Sequence, residues 1–227
     1  MGNPRHIAEN FKVGALLSLV GGYLDTYTYI CRDGVFANAQ TGNIVLMGLR
    51  LTDGEFAGAV HYLIPILSFV IGVIAVEMIK SKFNDDPRVH WHQLTLTVEM
   101  VILAAVAFIP ASRNDLANVL VSLTCAMQVE GFRRLNGNAY ATTMCTGNLR
   151  SGSESLFAYF KTKDVSQKKK AIEYYSIILI FIIGAAIGAV VTRQLGRKAV
   201  LVCLAGQFAA LMILKAYEDT GEIADEE

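Results

Sequence analysis

Six stretches of this chain, residues 13–30, 62–79, 93–111, 116–132, 172–192 and 199–217, are apolar and long enough to cross a bilayer as helices, and each carries at most one acidic or basic residue. A hydrocarbon core takes roughly 20 residues of helix, so runs of this kind constrain the fold before any motif is read. Composition points the same way: the 227 residues are 53% hydrophobic and 18% charged, against roughly 25% charged in soluble domains. Twenty Lys and Arg balance twenty Asp and Glu, which leaves no net basic surface of the kind nucleic acid requires. Cys31, Cys125, Cys145 and Cys203 form no CxxC pair and read as buried reduced thiols rather than a disulfide or zinc framework. The first ten residues lead into an apolar stretch interrupted by Asp25, with no small-residue cleavage site behind it, which argues against a cleaved signal peptide.

Two shorter stretches, residues 35–51 and 139–160, lie between the spans and are broken up by Asn38, Gln40, Thr41, Asn43, Thr142, Thr143, Thr146, Asn148 and Arg150. Thr41-Gly42-Asn43 returns as Thr146-Gly147-Asn148 at an offset of 105 residues, and at that offset Asp25 falls on Glu130. The small residues around Gly72 resemble those around Gly184 at an offset of 112, the extra length falling in a Lys-rich linker. Such self-similarity predicts a repeat. The expected organisation is one membrane domain over residues 1–227, with repeats at about 11–111 and 115–217 and an acidic, flexible tail at 218–227.

Each repeat holds three spans and one short polar segment, and counting positive charges decides what the short segments do. If both enter and leave on the same face, fourteen Lys and Arg collect on one face, leaving Arg32, Arg50, Arg113, Arg193, Arg197 and Lys198 on the other. If both cross, the partition is eleven against nine. The positive-inside rule favours the first arrangement, with both termini cytoplasmic. The expected fold is therefore an all-α membrane bundle of six spans plus two re-entrant segments. With three spans per half, the second half must insert upside down, as in the inverted repeats of transporters.

Non-helical backbone at membrane depth survives only when buried in protein or lining a water-filled cavity. Thr-Gly-Asn suits a break of that kind, because Gly admits unusual backbone conformations and Thr or Asn can cap the helix that follows. Thr41, Gly42, Asn43, Thr146, Gly147 and Asn148 are accordingly the expected substrate-binding residues, at two half-helix N-termini whose free N–H groups point inward. The alternative is that the glycines only let helices pack closely. Asp25 and Glu130 are carboxylates within spans, expected to couple protons or bind an ion, or else to cap a helix end beside Arg32 or Arg133. Tyr23, Asn38 and Gln128 are expected to support them by hydrogen bonds. Glu99 has no acidic counterpart in the second half, where Gln207 falls at a similar depth. His90 and His92 flank Trp91 in a manner ordinary for interfacial anchoring, and no metal or cofactor site is expected.

Gly21-Gly22-Tyr23-Leu24-Asp25, the run from Gly34 through Gln40-Thr41-Gly42-Asn43, and the run from Gln128 through Arg133-Arg134-Leu135 to Thr146-Gly147-Asn148 together resemble the YoaK-like family. The resemblance covers essentially the whole chain. It implies a polytopic bacterial inner-membrane protein and supplies no substrate; many members carry an uncharged residue near the position of Glu130.

The expected function is transport of a small solute or ion through a site between the two Thr-Gly-Asn segments. The alternative is a non-transporting scaffold or sensor. No nucleophile and base are paired in the sequence, so no enzyme is expected. Expected partners are membrane lipid, the solute and a second copy in a homodimer. The charge partition makes a prediction: a cysteine introduced at Asn84 is labelled only once the cytoplasmic face is exposed, and strong labelling of intact cells by an impermeant reagent rejects the six-span arrangement.

Overall fold

The computed structural model describes residues 10–84, 90–135, 138–140, 142 and 145–225. The predicted loop around Asp85, together with Thr143, lies outside them. The described chain forms helices α1 (Phe11–Cys31), α2 (Gln40–Thr52), α3 (Phe56–Phe83), α4 (Trp91–Val106), α5 (Asn114–Gly131), α6 (Cys145–Thr162), α7 (Val165–Leu195) and α8 (Val200–Asp225). A two-residue antiparallel ladder pairs Arg134 with Ala139 and Leu135 with Asn138. The fold is all-α, and each of the six apolar stretches has a helix of its own, although α4 ends at Val106, before the stretch 93–111 does. The two short polar segments give α2 and α6. The acidic stretch expected to be a flexible tail continues the backbone of α8 to Asp225.

Local chemistry sets several boundaries. Asn10 Oδ1 accepts from the Lys12 N–H at the start of α1, and Asp164 caps α7 by accepting from the Ser166 N–H (2.8 Å) and hydroxyl (2.7 Å). Those two donors hold the Asp164 carboxyl below its usual range. Pro65 sits within α3, where it removes a helical N–H. Its carbonyl oxygen lies 3.0 Å from the Ser122 hydroxyl of α5.

Close approach at small residues determines which helices pair. A β-carbon on Gly184 of α7 would collide with the Leu19 carbonyl of α1, one on Gly22 with the Phe181 carbonyl, and one on Gly188 with the Tyr23 backbone. From the Leu19–Gly184 contact to the Tyr23–Gly188 contact both numbers rise by four, so α1 and α7 run parallel. On the other side of the bundle a β-carbon on Gly72 of α3 would lie 2.6 Å from the Leu123 carbonyl oxygen of α5. Ser68 Oγ donates to the Val119 carbonyl, so α3 and α5 also run parallel. Between these pairs α1 and α5 are antiparallel: Arg32, at the end of α1, reaches Asn114 at the start of α5, while Leu17 is met by Gln128 near the end of α5. α2 folds back on α3, α6 folds back on α7, and α4 and α8 pack on each other and on α5 and α1 respectively.

The distribution of polarity is the reverse of a soluble protein's. Leu67, Val70, Ile71, Ile74 and Met78 of α3 and Leu179, Ile182, Ile183, Ile187 and Val190 of α7 are exposed, while Asp25, Arg32, Asn43, Glu99, Gln128 and Gln207 are buried. The stretches Phe56–Phe83 and Val165–Ala216 are long and apolar enough to cross a membrane, and only 28% and 22% of their most apolar windows is buried in the bundle. Apolar surface of this extent calls for a nonaqueous neighbour.

The α1–α7 contact predicts that Gly184→Ala destabilises the fold by about 1–3 kcal/mol through overpacking. Gly147→Ala, whose β-carbon meets nothing within 4 Å, leaves thermal unfolding in detergent unchanged or raises its midpoint.

Candidate functional site

After α1 the backbone reverses through Asp33 (φ 64°) and Gly34 (φ 73°), the left-handed region that glycine adopts most readily. The returning loop then runs back beside α1. The Asn38 N–H donates to Asp25 Oδ1 (2.7 Å), and Asn38 Nδ2 donates to the Gly21 carbonyl (3.0 Å). Asp25 lies six residues before Cys31, so α2 begins about 9 Å inside the bundle at 1.5 Å of rise per residue. From there α2 runs back toward the end of the bundle it came from, where the Asp53–Glu55 turn leads into α3.

The N-terminus of α2 has no cap of its own, since Ala39 stands at the N-cap position without a side-chain hydrogen bond. Asp25 of α1 instead holds the residues that lead into the helix: besides Asn38, the backbone N–H groups of Ala37 and Ala39 bond toward its carboxylate. An anion at a helix start satisfies orphan N–H groups and complements the dipole. Asn43 closes the loop: its Oδ1 accepts from the Phe36 N–H (3.3 Å), and its Nδ2 donates to the Phe36 carbonyl (2.7 Å) and to Gln40 Oε1 (3.0 Å). Gln40 Nε2 donates to the Ala37 carbonyl and to Ser122 Oγ (2.9 Å), which ties the loop to α5.

At the loop before α6 a neutral side chain makes the contact. Gln128 Nε2 donates to the Leu17 carbonyl (3.1 Å) and to Thr142 Oγ1 (3.0 Å), holding the loop that precedes α6. Asn148 is buried while Thr146 and Gly147 are exposed, just as Asn43 is buried while Thr41 is exposed.

Several expectations change. Gly42 and Gly147 lie within helices rather than at left-handed breaks; the reversal is made upstream at Asp33 and Gly34, so the tripeptide marks the first turn and not the break. Thr41 does not cap α2, because it lies inside the helix, one residue after Gln40. Glu130 does not take a role like that of Asp25. It forms an ion pair with Arg133 at 3.1 Å near the end of α5, and Gln128, one helical step earlier, is the residue that reaches the returning chain. Tyr23 supports the packing instead of Asp25, donating its hydroxyl to the Ala199 carbonyl (2.7 Å). Trp91 and His92 stack with ring centres 3.6 Å apart.

Two arrangements escaped sequence reasoning. Arg32 is fully buried and donates to the Val106 and Ile109 carbonyls at the end of α4, to Asn114 Oδ1 and to the Tyr27 hydroxyl. No carboxylate pairs with it among the described residues. An arginine directly after a span reads as an interfacial flank, and nothing in its spacing points to α4. The second arrangement is the contact between Glu99 and Gln207, where Gln207 Nε2 donates to Glu99 Oε2 at 3.1 Å; their similar depth was the available signal.

Residues 13–214 match the model of a family described as protein of unknown function (DUF1275). The chain belongs to this family. It is also similar to the UPF0700 transmembrane protein YoaK of Bacillus subtilis (strain 168), with 25% identity over 184 residues that span 77% of this chain and 80% of that protein. No solved structure matches the chain. The family and the apolar helices agree on a membrane protein of an uncharacterised family.

The hold of Asp25 on the returning loop makes a prediction. Asp25→Leu strips the Asn38 N–H of its acceptor and costs about 1–3 kcal/mol, the desolvation penalty of an unpaired buried group. Asp25→Asn retains an acceptor oxygen and loses less, so thermal denaturation of the two purified variants ranks asparagine above leucine.

Proposed function

We propose that this protein is a six-span inner-membrane carrier or channel for a small solute or ion, with α2 and α6 re-entrant from opposite faces and both termini cytoplasmic. The reading is supported above all by two short helices that begin inside the bundle, each preceded by a loop held by a polar side chain of the neighbouring long helix, Asp25 or Gln128. Discontinuous helices in paired halves are how secondary transporters build a site near mid-membrane. Helix pairing supports the inverted repeat. Exchanging the halves turns the α1–α7 contact into α5–α3, α2–α3 into α6–α7, and α1–α8 into α5–α4, while α4–α8 maps onto itself.

Because the Asp25 carboxylate already occupies the start of α2, the solute is not an anion bound at that end. Asp25 is the coupling group, and its protonation weakens the hold on the returning loop. Binding falls to the loop and first turn around Asn43 and to the corresponding residues near Asn148. Glu130, largely buried beside Arg133 and Glu77, takes no part. Lipid covers the apolar faces, and a homodimer completes the assembly. The same contacts favour the second reading, a scaffold or sensor whose returning loops are sealed by the chain's own side chains.

Flux decides between them. Proteoliposomes screened with labelled metabolites and ions under an imposed pH gradient show uptake by the wild type and loss of its pH dependence in Asp25→Asn. Asn43→Ala weakens uptake by removing a hydrogen bond worth about 0.5–1.5 kcal/mol. PH-dependent uptake that is unchanged in Asp25→Asn removes Asp25 from the coupling role, and absence of flux across the screen favours the scaffold.

A further inference from the structure

Glu99 lies midway along α4 and faces α8 with no exposed surface, and its partner Gln207 is 1% exposed. Gln207 Nε2 donates to Glu99 Oε2 at 3.1 Å. The remaining oxygens of the same two side chains, Glu99 Oε1 and Gln207 Oε1, are both buried and both lack a partner. A carboxylate is an acceptor only, and a primary amide has one acceptor oxygen and one nitrogen donor group. Set against an ionised Glu99, the amide therefore satisfies one carboxylate oxygen and leaves one acceptor on each residue unmatched.

The surroundings offer no charge to compensate a carboxylate. Leu96 and Leu103 lie about a turn away on α4, both fully buried, and the Thr95 hydroxyl is committed to the Trp91 carbonyl. On α5 the titratable neighbour is Cys125, which lies within electrostatic reach of both Glu99 and Asp25 of α1; on α8 it is Cys203, next to Cys125. No Lys, Arg or His is paired with Glu99 among the described residues. An ionised carboxyl buried without a counter-charge is among the most unfavourable groups a protein can hold.

We propose that Glu99 binds a proton and closes a two-hydrogen-bond acid–amide pair with Gln207, making the α4–α8 crossing a proton-binding site. The proton sits on Glu99 Oε1 and turns that oxygen from an acceptor into the donor that Gln207 Oε1 lacks. Gln207 Nε2 continues to donate to Glu99 Oε2. A sodium ion is the competing occupant, and it fits poorly: a hard cation needs a shell of several oxygens, whereas this crossing offers two free ones between leucines. The inference rests on the crossing alone and not on the transport reading.

Infrared spectroscopy of the purified protein in lipid at neutral pH tests it. The wild type shows the carbonyl stretch of a protonated carboxyl. The band disappears in Glu99→Gln, survives in Asp25→Asn, and shifts to higher frequency in Gln207→Leu, where the acid loses its partner. Incorporation of carboxyl-labelled glutamate into the unsubstituted protein moves the band, so the assignment to a glutamate stands even if a variant fails to fold. Glu99→Gln, which replaces the O–H donor by an N–H donor, keeps its thermal midpoint, whereas Glu99→Ala lowers it. A wild type with only carboxylate bands, a band that persists in Glu99→Gln, or a carboxylate band that depends on added sodium overturns the proposal. Loss of flux without loss of the band bears on the transport reading alone.

Discussion

A helix that starts inside an apolar bundle presents N–H groups that no preceding turn can satisfy, and in a bilayer no water is at hand to do so. The chain leading into α2 meets this demand at the N–H groups of Ala37, Asn38 and Ala39 with a carboxylate borrowed from α1, Asp25, about two helical turns back from the end of that helix. Other features follow from that placement. The loop must reverse tightly, which Asp33 and Gly34 allow; Asn38 must lie flat against Gly21; and Asn43 and Gln40 must close the loop on itself and on α5. The short helix is stable in an unusual position because the loop leading into it is held by a side chain already fixed in a long one.

The two halves share contacts more faithfully than chemistry. Gly72 and Gly184 both sit where a β-carbon would strike the backbone of a neighbouring helix, Leu123 in one case and Leu19 in the other. The side chains that hold the returning loops differ: a carboxylate accepting from backbone N–H groups at Asp25, an amide donating to a hydroxyl and a carbonyl at Gln128. Backbone approach is dictated by shape, which tolerates little change, whereas a loop can be held by any side chain that balances its donors and acceptors.

That contrast explains what was legible in the sequence. The six apolar stretches and the two polar interruptions gave the helix inventory, because lipid exposure writes directly into composition. The double Thr-Gly-Asn located α2 and α6, and burial of both asparagines fits the motif. The offset also suggested pairing Asp25 with Glu130. It failed there because equal spacing does not guarantee equal rotation about a helix axis: Gln128 faces the loop, while Glu130 turns toward Arg133. Arg32 was hidden for a different reason. Its partners are mostly main-chain carbonyls of α4 and side chains distant in sequence, and carbonyl oxygens leave no trace in the amino-acid code.

Arg32 also divides the molecule by what acid can disturb. Its guanidinium stays charged at every pH a cell encounters, and its acceptors are carbonyls, an amide oxygen and a phenol, none of which takes up a proton in that range. The knot joining the ends of α1 and α4 to the start of α5, extended to Arg197 through the Tyr27 hydroxyl, is therefore indifferent to acidification. The clasp at Asp25, only seven residues away, depends on a group that acid can neutralise. A drop in pH would slacken the loop while its anchorage stayed tight, so any movement of α2 would pivot about a fixed point at one end of the bundle instead of loosening the whole.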